Sequence, residues 1–352
     1  MIAAVVRAED APGPTLVVQL SQLPAGALAL RGELTALRRA LAATPYARLN
    51  KIALYGPSAR PGHDLDYRFV QALPDGGFDF RTGCGHSLLA CVVAGAHPGP
   101  VTVRAVTTGD DIRCEPEPEP GPEPGPESGW EPGPEPGRES GPGPGPGPES
   151  GPDSALQPGP GPGPEPRPRP ESPYAPPAAH TLRFLRPPDA PGTLPTGRPL
   201  DIVDELPVSL VRYGNPYVLV DAAHLGLRTA EELFRAGDAT LRRLLALRAE
   251  AARLLGHPPH SALPKVAAFT GDGAVRALTV GGWHPRLALT GAAALATAAH
   301  LEGTVVPPLD GPLRTPGGPV TVSAGPRGVG VHHKRATVLD RLELPWRIHA
   351  TA

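Results

Sequence analysis

The sequence predicts an α/β protein of two similar lobes, each a curved β-sheet wrapped around one central apolar helix, with a site between the lobes. Three observations carry this expectation. Short apolar runs of strand length recur on both sides of a low-complexity block. Each half holds one helix of small apolar residues, at 87–96 and from 291 onward, and a helix apolar on every side has to be buried. Both helices are entered through glycine, at Gly83-Cys84-Gly85-His86-Ser87 and at Leu289-Thr290-Gly291-Ala292.

In chain order, the apolar runs 2–6 and 15–20 read as strands. Leu30, Leu34, Leu37 and Leu41 then recur at helical spacing. Strands follow at 51–54 and 66–73, then the cysteine helix, a strand at 101–106 and, beyond the low-complexity block, one at 181–185. The second half reads as strands at 208–212 and 217–220, one long helix over 230–255, and strands at 265–269 and 274–280. The second glycine-entered helix comes next, with strands at 319–324 and 328–332. The expected division is 1–190 for the first lobe, interrupted by an insert at 115–172, and 191–352 for the second, with the C-terminal segment free to return to the first lobe.

The insert holds 21 of the chain's 51 prolines in Glu-Pro-Gly-Pro and Gly-Pro-Gly-Pro units. Proline this dense forms neither a helix nor a central strand. The block lacks the strict G-x-y period of collagen and reads as a disordered, extended and solvated segment. Its 12 acidic residues face three arginines, so a chain of net charge −2 is basic outside it. That excess suits a small anionic substrate. No basic stripe with interleaved aromatics points to nucleic acid, and no apolar run reaches the roughly 20 residues of a membrane span. The N-terminus lacks the apolar run of a signal peptide, so a cytoplasmic location is expected. Three cysteines, Cys84, Cys91 and Cys114, without C-x-x-C spacing indicate neither a disulfide framework nor a zinc knuckle.

The candidate site gathers at the glycine turns. A helix start presents free N–H groups and the positive end of its dipole, which together bind a carboxylate and activate a nearby cysteine. Cys84 is therefore a candidate acid or a residue lining the site, whereas Cys91 and Cys114 read as structural. Gly85, His86 and Ser87 shape the first helix start, Thr290 and Gly291 the second. Thr290 holds a carboxylate or caps its helix. His86 and His284 are acid–base or carboxylate partners. Asn215, before Pro216, is a site amide or a turn residue. Lys51 sits in an otherwise apolar strand, where burial would lower its pKa enough for base chemistry; the alternative is a strand-edge lysine in solvent. Arg7 is a cation able to clamp a carboxylate. His332, His333 and His349 have no helical i, i+4 spacing and read as a solvated tail, so no metal is expected.

These residues also resemble a known family. Asn50-Lys51-Ile52-Ala53-Leu54-Tyr55-Gly56-Pro57-Ser58-Ala59-Arg60-Pro61, leading into Asp64-Leu65-Asp66-Tyr67-Arg68-Phe69-Val70-Gln71, is similar to the S-K-V-x-I-x-x-x-S-x-R-P…D-V-D-Y-x-F-x-Q segment of PrpF-type isomerases. Cys84-Gly85-His86-Ser87 resembles their C-G-N-x-S, Leu194-Pro195-Thr196-Gly197 their L-P-T-G, and Asn215-Pro216-Tyr217-Val218-Leu219-Val220-Asp221-Ala222 their N-P-x-V-F-V-D-A. His284 with Leu287-Ala288-Leu289-Thr290-Gly291, and Glu302-Gly303-Thr304-Val305-Val306, continue the order. The resemblance implies a diaminopimelate epimerase-like fold, no metal or organic cofactor, Lys51 as the principal proton-transfer residue and Cys84 in the site. The chain departs from the pattern at Arg7-Ala8-Glu9-Asp10-Ala11-Pro12-Gly13, where the family has R-G-G-T-S-K-G. It departs again before Lys51, at His86, and at Thr315-Pro316-Gly317-Gly318.

The expected function is a cofactor-independent isomerase that shifts a carbon–carbon double bond in a small unsaturated carboxylic acid. Three alternatives stand beside it. One is a double-bond isomerase of 4-alkylproline-type natural-product biosynthesis, which a similarly shortened relative performs. Another is a racemase or epimerase of the same fold. The third is a catalytically degenerate binding or scaffold protein with the insert as a docking segment. The expected partner is the small carboxylate alone, and a homodimer stays open.

Overall fold

The structure, a computed structural model, describes residues 1–24, 26–118, 177–258, 261–279 and 282–344. The chain begins with an antiparallel hairpin of β1 (Ile2–Ala8) and β2 (Thr15–Gln19). Helix α1 (Arg31–Leu41) crosses over, so that β3 (Lys51–Pro57) lies parallel to β2 and β4 (Leu65–Ala72) returns antiparallel. After β5 (Phe78–Asp79) comes α2 (Gly85–Ala94), followed by β6 (Val101–Ala105), β7 (Asp110–Pro116) and β8 (His180–Phe184). The second half opens with β9 (Asp201–Val203) and repeats the plan. An antiparallel hairpin of β10 (Leu206–Tyr213) and β11 (Asn215–Asp221) leads through α3 (Ala230–Arg235) and α4 (Asp238–Leu254) to β12 (Lys265–Phe269), parallel to β11. Then β13 (Val275–Thr279) returns antiparallel, and β14 (Gly282–Trp283) precedes α5 (Leu289–His300). Strands β15 (Leu313–Thr315), β16 (Gly318–Val320), β17 (Val322–Gly325), β18 (Gly328–Lys334) and β19 (Ala336–Glu343) close the described chain.

Among the described residues these strands form an eleven-stranded sheet, a six-stranded sheet and a two-stranded ribbon. The large sheet holds β1–β8 and also β17, β18 and β19, with β19 against β1 and β18 against β8. The C-terminal strands thus return to the first sheet. Both large sheets are apolar on both faces, because strand side chains alternate between them. In the first sheet Leu16, Val18, Ile52 and Leu54 meet Leu34 and Leu37 of α1, while Val17, Ala53 and Tyr55 turn inward to α2. In the second, Val218, Val220, Val266 and Ala268 meet Leu244 and Leu247 of α4, while Leu219, Ala267 and Phe269 turn inward. The inner faces and both central helices form one core. Helix α2 is buried over Gly85–Val92 and α5 over Leu289–Ala298, so the small-residue composition has its expected consequence.

Four sequence expectations shift. The helix over 230–255 is two helices, because Ala236 turns extended and Gly237 caps a new start, while Thr229 and Glu232 close a capping box at the head of α3. The central helices begin two residues early, at Gly85 and Leu289. His332 and His333 are no tail: they lie in β18, where His332 meets Thr181 and Ser323, and His333 meets Glu117. His349 lies outside the described residues. The insert starts later than 115, since β7 runs through Glu115 and Pro116, with Pro116 opposite His180. Glu117 is then fixed by its N–H to Ala179 O, 2.7 Å, and by the Thr181 hydroxyl donating to its carboxylate, 2.7 Å. The remainder of the insert lies outside the described residues.

Since β7 and β8 bring the chain ends side by side, replacing 119–176 by a short glycine-containing turn is expected to leave the thermal midpoint within a few degrees. A larger fall in a melt of the shortened protein would show that the segment stabilises the fold.

Candidate active site

The first residue of β3 is Lys51 and the first residue of β12 is Lys265. The two strands occupy the same place in the two repeats, each the parallel partner reached through an outer helix. Alternation puts Lys51 on the face of Ala53 and Tyr55, and Lys265 on that of Ala267 and Phe269, so both belong to the inner faces. They line one cavity of about 70 Å³ between the sheets. Lys51 is 8% exposed, and its Nζ donates to Gly13 O at 3.4 Å. Burial lowers its pKa; Cys84 opposes this and the Arg7 charge adds to it. Burial pushes Lys265 down to about 8, against the pull of Asp79. Sequence reading missed Lys265, although its signal was the same as that of Lys51: a lysine opening an apolar strand.

The tips of α2 and α5 meet in this cavity. A Cβ on Gly85 would lie 2.6 Å from Leu289 Cβ, and one on Gly291 would lie 2.9 Å from the Tyr217 hydroxyl, so both glycines are required by close approach. Cys84 and Ala288 are the N-cap residues, and neither caps with its side chain. The first N–H groups of each helix therefore lack partners within the helix, and two positive dipole ends converge. Thr290 does not cap α5. Its hydroxyl accepts from Asn215 Nδ2 at 3.3 Å and lies 3.4 Å from the Tyr217 hydroxyl.

Asn215 is a strand residue, not a turn residue. Its Oδ1 accepts from Gly83 N at 2.8 Å, and its Nδ2 donates to Gly83 O at 2.9 Å. One amide thus ties the first glycine turn to the start of α5. Tyr67 adds a second tie, its hydroxyl donating to Cys84 O at 2.8 Å.

The histidines are buried and neutral. Burial, then the charge of Lys51, pushes His284 down to about 4. Its Nδ1 accepts from Arg286 N at 3.1 Å, which leaves Nε2 as the N–H donor. Burial and then His284 drive His86 well below the ordinary histidine range, and its Nε2 is buried without a partner. The two rings stack at 6.4 Å.

The loop after β1 closes one side. Asp10, buried, accepts from Lys334 Nζ at 2.5 Å and also from Arg286. Pro12 lines the cavity beside it. Of the residues expected from the sequence, Lys51, Cys84, Gly85, His86, Asn215, His284 and Thr290 line the cavity. Ser87 instead bonds Thr15 at 2.9 Å within the first lobe, Gly291 sits behind the helix tip, and Arg7 is exposed, acting on Lys51 only through its charge. Cys91 and Cys114 are buried in the core, as read. Among the described residues no three His, Cys, Asp or Glu side chains gather to hold a metal, and no helix is long and apolar enough to cross a membrane.

Comparison with known proteins bears on the family and the fold. Residues 174–312 match the family described as PrpF protein. No curated protein matches the sequence. A methylitaconate-delta-isomerase crystal structure is 18% identical with a TM-score of 0.58, covering 99% of each chain. A probable proline racemase from Agrobacterium radiobacter with bound carbonate is 13% identical, TM-score 0.52, over 98% of this chain and 93% of that one. A hydroxyproline epimerase from Agrobacterium vitis, with bound trans-4-hydroxy-L-proline, is 16% identical, TM-score 0.52, over 97% and 91%. At these identities the likeness establishes the fold, the two-sheet α/β architecture expected from the sequence.

The Asn215 clamp yields a test. Asn215→Asp keeps the acceptor for Gly83 N but loses both donations and buries an unpaired charge, so a loss of about 2–4 kcal/mol is expected. Denaturant unfolding measures it. A variant as stable as the parent would show that the clamp does not hold the glycine turn.

Proposed function

We propose that this chain, whose residues 174–312 match the PrpF family, is a cofactor-independent isomerase that shifts a carbon–carbon double bond in a small unsaturated carboxylic acid. One observation carries the reading: two lysines from opposite lobes flank the converging helix tips in a single small cavity. The helix N–H groups and His284 Nε2–H form the place for the carboxylate and for the negative charge that builds on it in the dienolate. Lys265, with a pKa of about 8, is substantially neutral at slightly alkaline pH and takes the allylic proton. The dienolate then receives a proton at the far carbon from Lys51, and solvent exchange restores both groups. In the reverse direction the roles exchange. Cys84 lines the cavity with both lysines, so it contributes to the same proton transfer or lines its path.

The two-cysteine epimerase arrangement is disfavoured by position. No second cysteine stands at the other helix start, where Ala288 is the N-cap and Thr290 precedes the glycine. A scaffold role is disfavoured by two partly desolvated cations left facing an open cavity, which is costly without a function.

Lys51→Ala and Lys265→Ala are each expected to slow solvent-deuterium incorporation into a substrate acid by about 10²–10⁴-fold, and arginine should rescue neither, because guanidinium stays protonated. NMR in D₂O reads this; a Lys51→Ala protein exchanging at the parental rate would refute the mechanism.

The pH dependence follows from the sign of the lysine shift. In the direction where Lys265 is the base, the rate rises as pH climbs through about 8, and that limb disappears in Lys265→Ala. The same lowered pKa opposes folding below about 8 and is relieved as pH rises from there toward the ordinary lysine range, so this group makes the protein more stable on the alkaline side. A rate profile flat between pH 7 and 9 would exclude Lys265 as the base.

A further inference from the structure

The inner cavity does not end at Lys265. A second cavity of about 390 Å³ begins there and shares Ala262, Lys265, Leu278 and Thr279 with the first. It lies between the lobes, with Leu73 on one wall and Leu241, Leu245 and Val266 on the other. Leu245 of α4 is 39% exposed at its edge. The charged groups here are mostly engaged by the protein. Arg81 bonds Asp79 through Nε at 3.3 Å, and Arg248 Nη1 donates to Ser261 O at 2.7 Å, leaving Arg248 Nε without a partner.

We propose that this outer cavity holds an apolar substituent of the substrate. The natural ligand is then an unsaturated acid carrying a hydrocarbon chain of several carbons, rather than a compact polycarboxylate. The inference rests on the isomerase reading of the inner site and adds the substrate class. The inner cavity, at about 70 Å³, has room for a carboxylate and the reacting carbons. Whatever is attached beyond them has to pass Lys265 into the leucine-walled space. A chain lying there also shields Lys265 from water, which keeps its pKa low during the reaction.

The test is binding of three defined acids, (E)-2-butenoate, (E)-2-octenoate and (E)-2-octenedioate, with dissociation constants from NMR titration. Each buried methylene is worth about fourfold in affinity, so octenoate should bind the parent protein at least ~10-fold more tightly than butenoate. Leu245→Trp and, separately, Leu73→Trp fill the outer cavity from opposite walls. Each should bring the octenoate-to-butenoate preference below about threefold. The proposal is overturned by equal affinities in the parent, or by a preference that survives in both variants. It is also overturned by octenedioate binding more tightly than octenoate, which would give the cavity to a second carboxylate at Arg248. The readout is affinity, so it is independent of turnover. Failure of the lysine variants to alter deuterium exchange refutes the isomerase reading without touching this result.

Discussion

The meeting of two helix N-termini at Gly85 and Leu289 is the constraint on which the rest of the structure depends. Two helix dipoles placed tip to tip repel, each end carrying about half a positive charge. Lys51 and Lys265 add cations to the same space. Such an arrangement persists only if the surrounding protein over-determines it, and it does. Each helix is enclosed by its own sheet and by the single core that joins them. The Asn215 amide stitches the glycine turn of one lobe to the helix start of the other. The burial that holds the helices in place therefore also supplies the energy that keeps two positive helix ends and two lysines together.

The duplicated topology explains why the site has two lysines. In each lobe a hairpin, an outer helix and a parallel strand bring the first residue of that strand to the edge of the inner face, beside a central helix tip. A residue there is half enclosed by the opposite lobe. Lysine suits the position because its stem packs while its ammonium reaches the cavity, and enclosure is what lowers its pKa. The repeated fold thus brings one lysine from each half to equivalent positions on the same cavity.

Much of this was legible in the sequence. The all-apolar, small-residue helices could be nothing but central, whereas 51–54 and 265–269 are apolar throughout after their lysines, so only the structure shows which side chains turn inward. Other features were not. Position 265 opens a strand just as position 51 does, but it stands outside the segments that carry the family resemblance, so one lysine was singled out and the other passed over. Residue type alone makes Thr290 a carboxylate partner or a cap, and Ser87 part of a helix start. Their hydroxyls are instead taken by Asn215 and Thr15, partners 75 and 72 residues away, and no local rule predicts such pairings. The break at Gly237 was hidden because the helical periodicity of leucines continues across it.

The loop after β1 is anchored to the cavity wall by ion pairs. The family pattern places small polar residues here, and this chain has Glu9-Asp10-Ala11-Pro12-Gly13 instead. Asp10 is buried and is met by Lys334 from β18 and Arg286 from the approach to α5, so three distant segments converge on one carboxylate. Removing one partner from such a buried set costs about 3–5 kcal/mol, because the remaining charges are left unpaired. The loop is thereby held with Gly13 O against Lys51, and the two cations that anchor it also help to keep His86 neutral. The substitutions that weaken the resemblance thus rebuild the wall of the cavity with an ion-paired anchor.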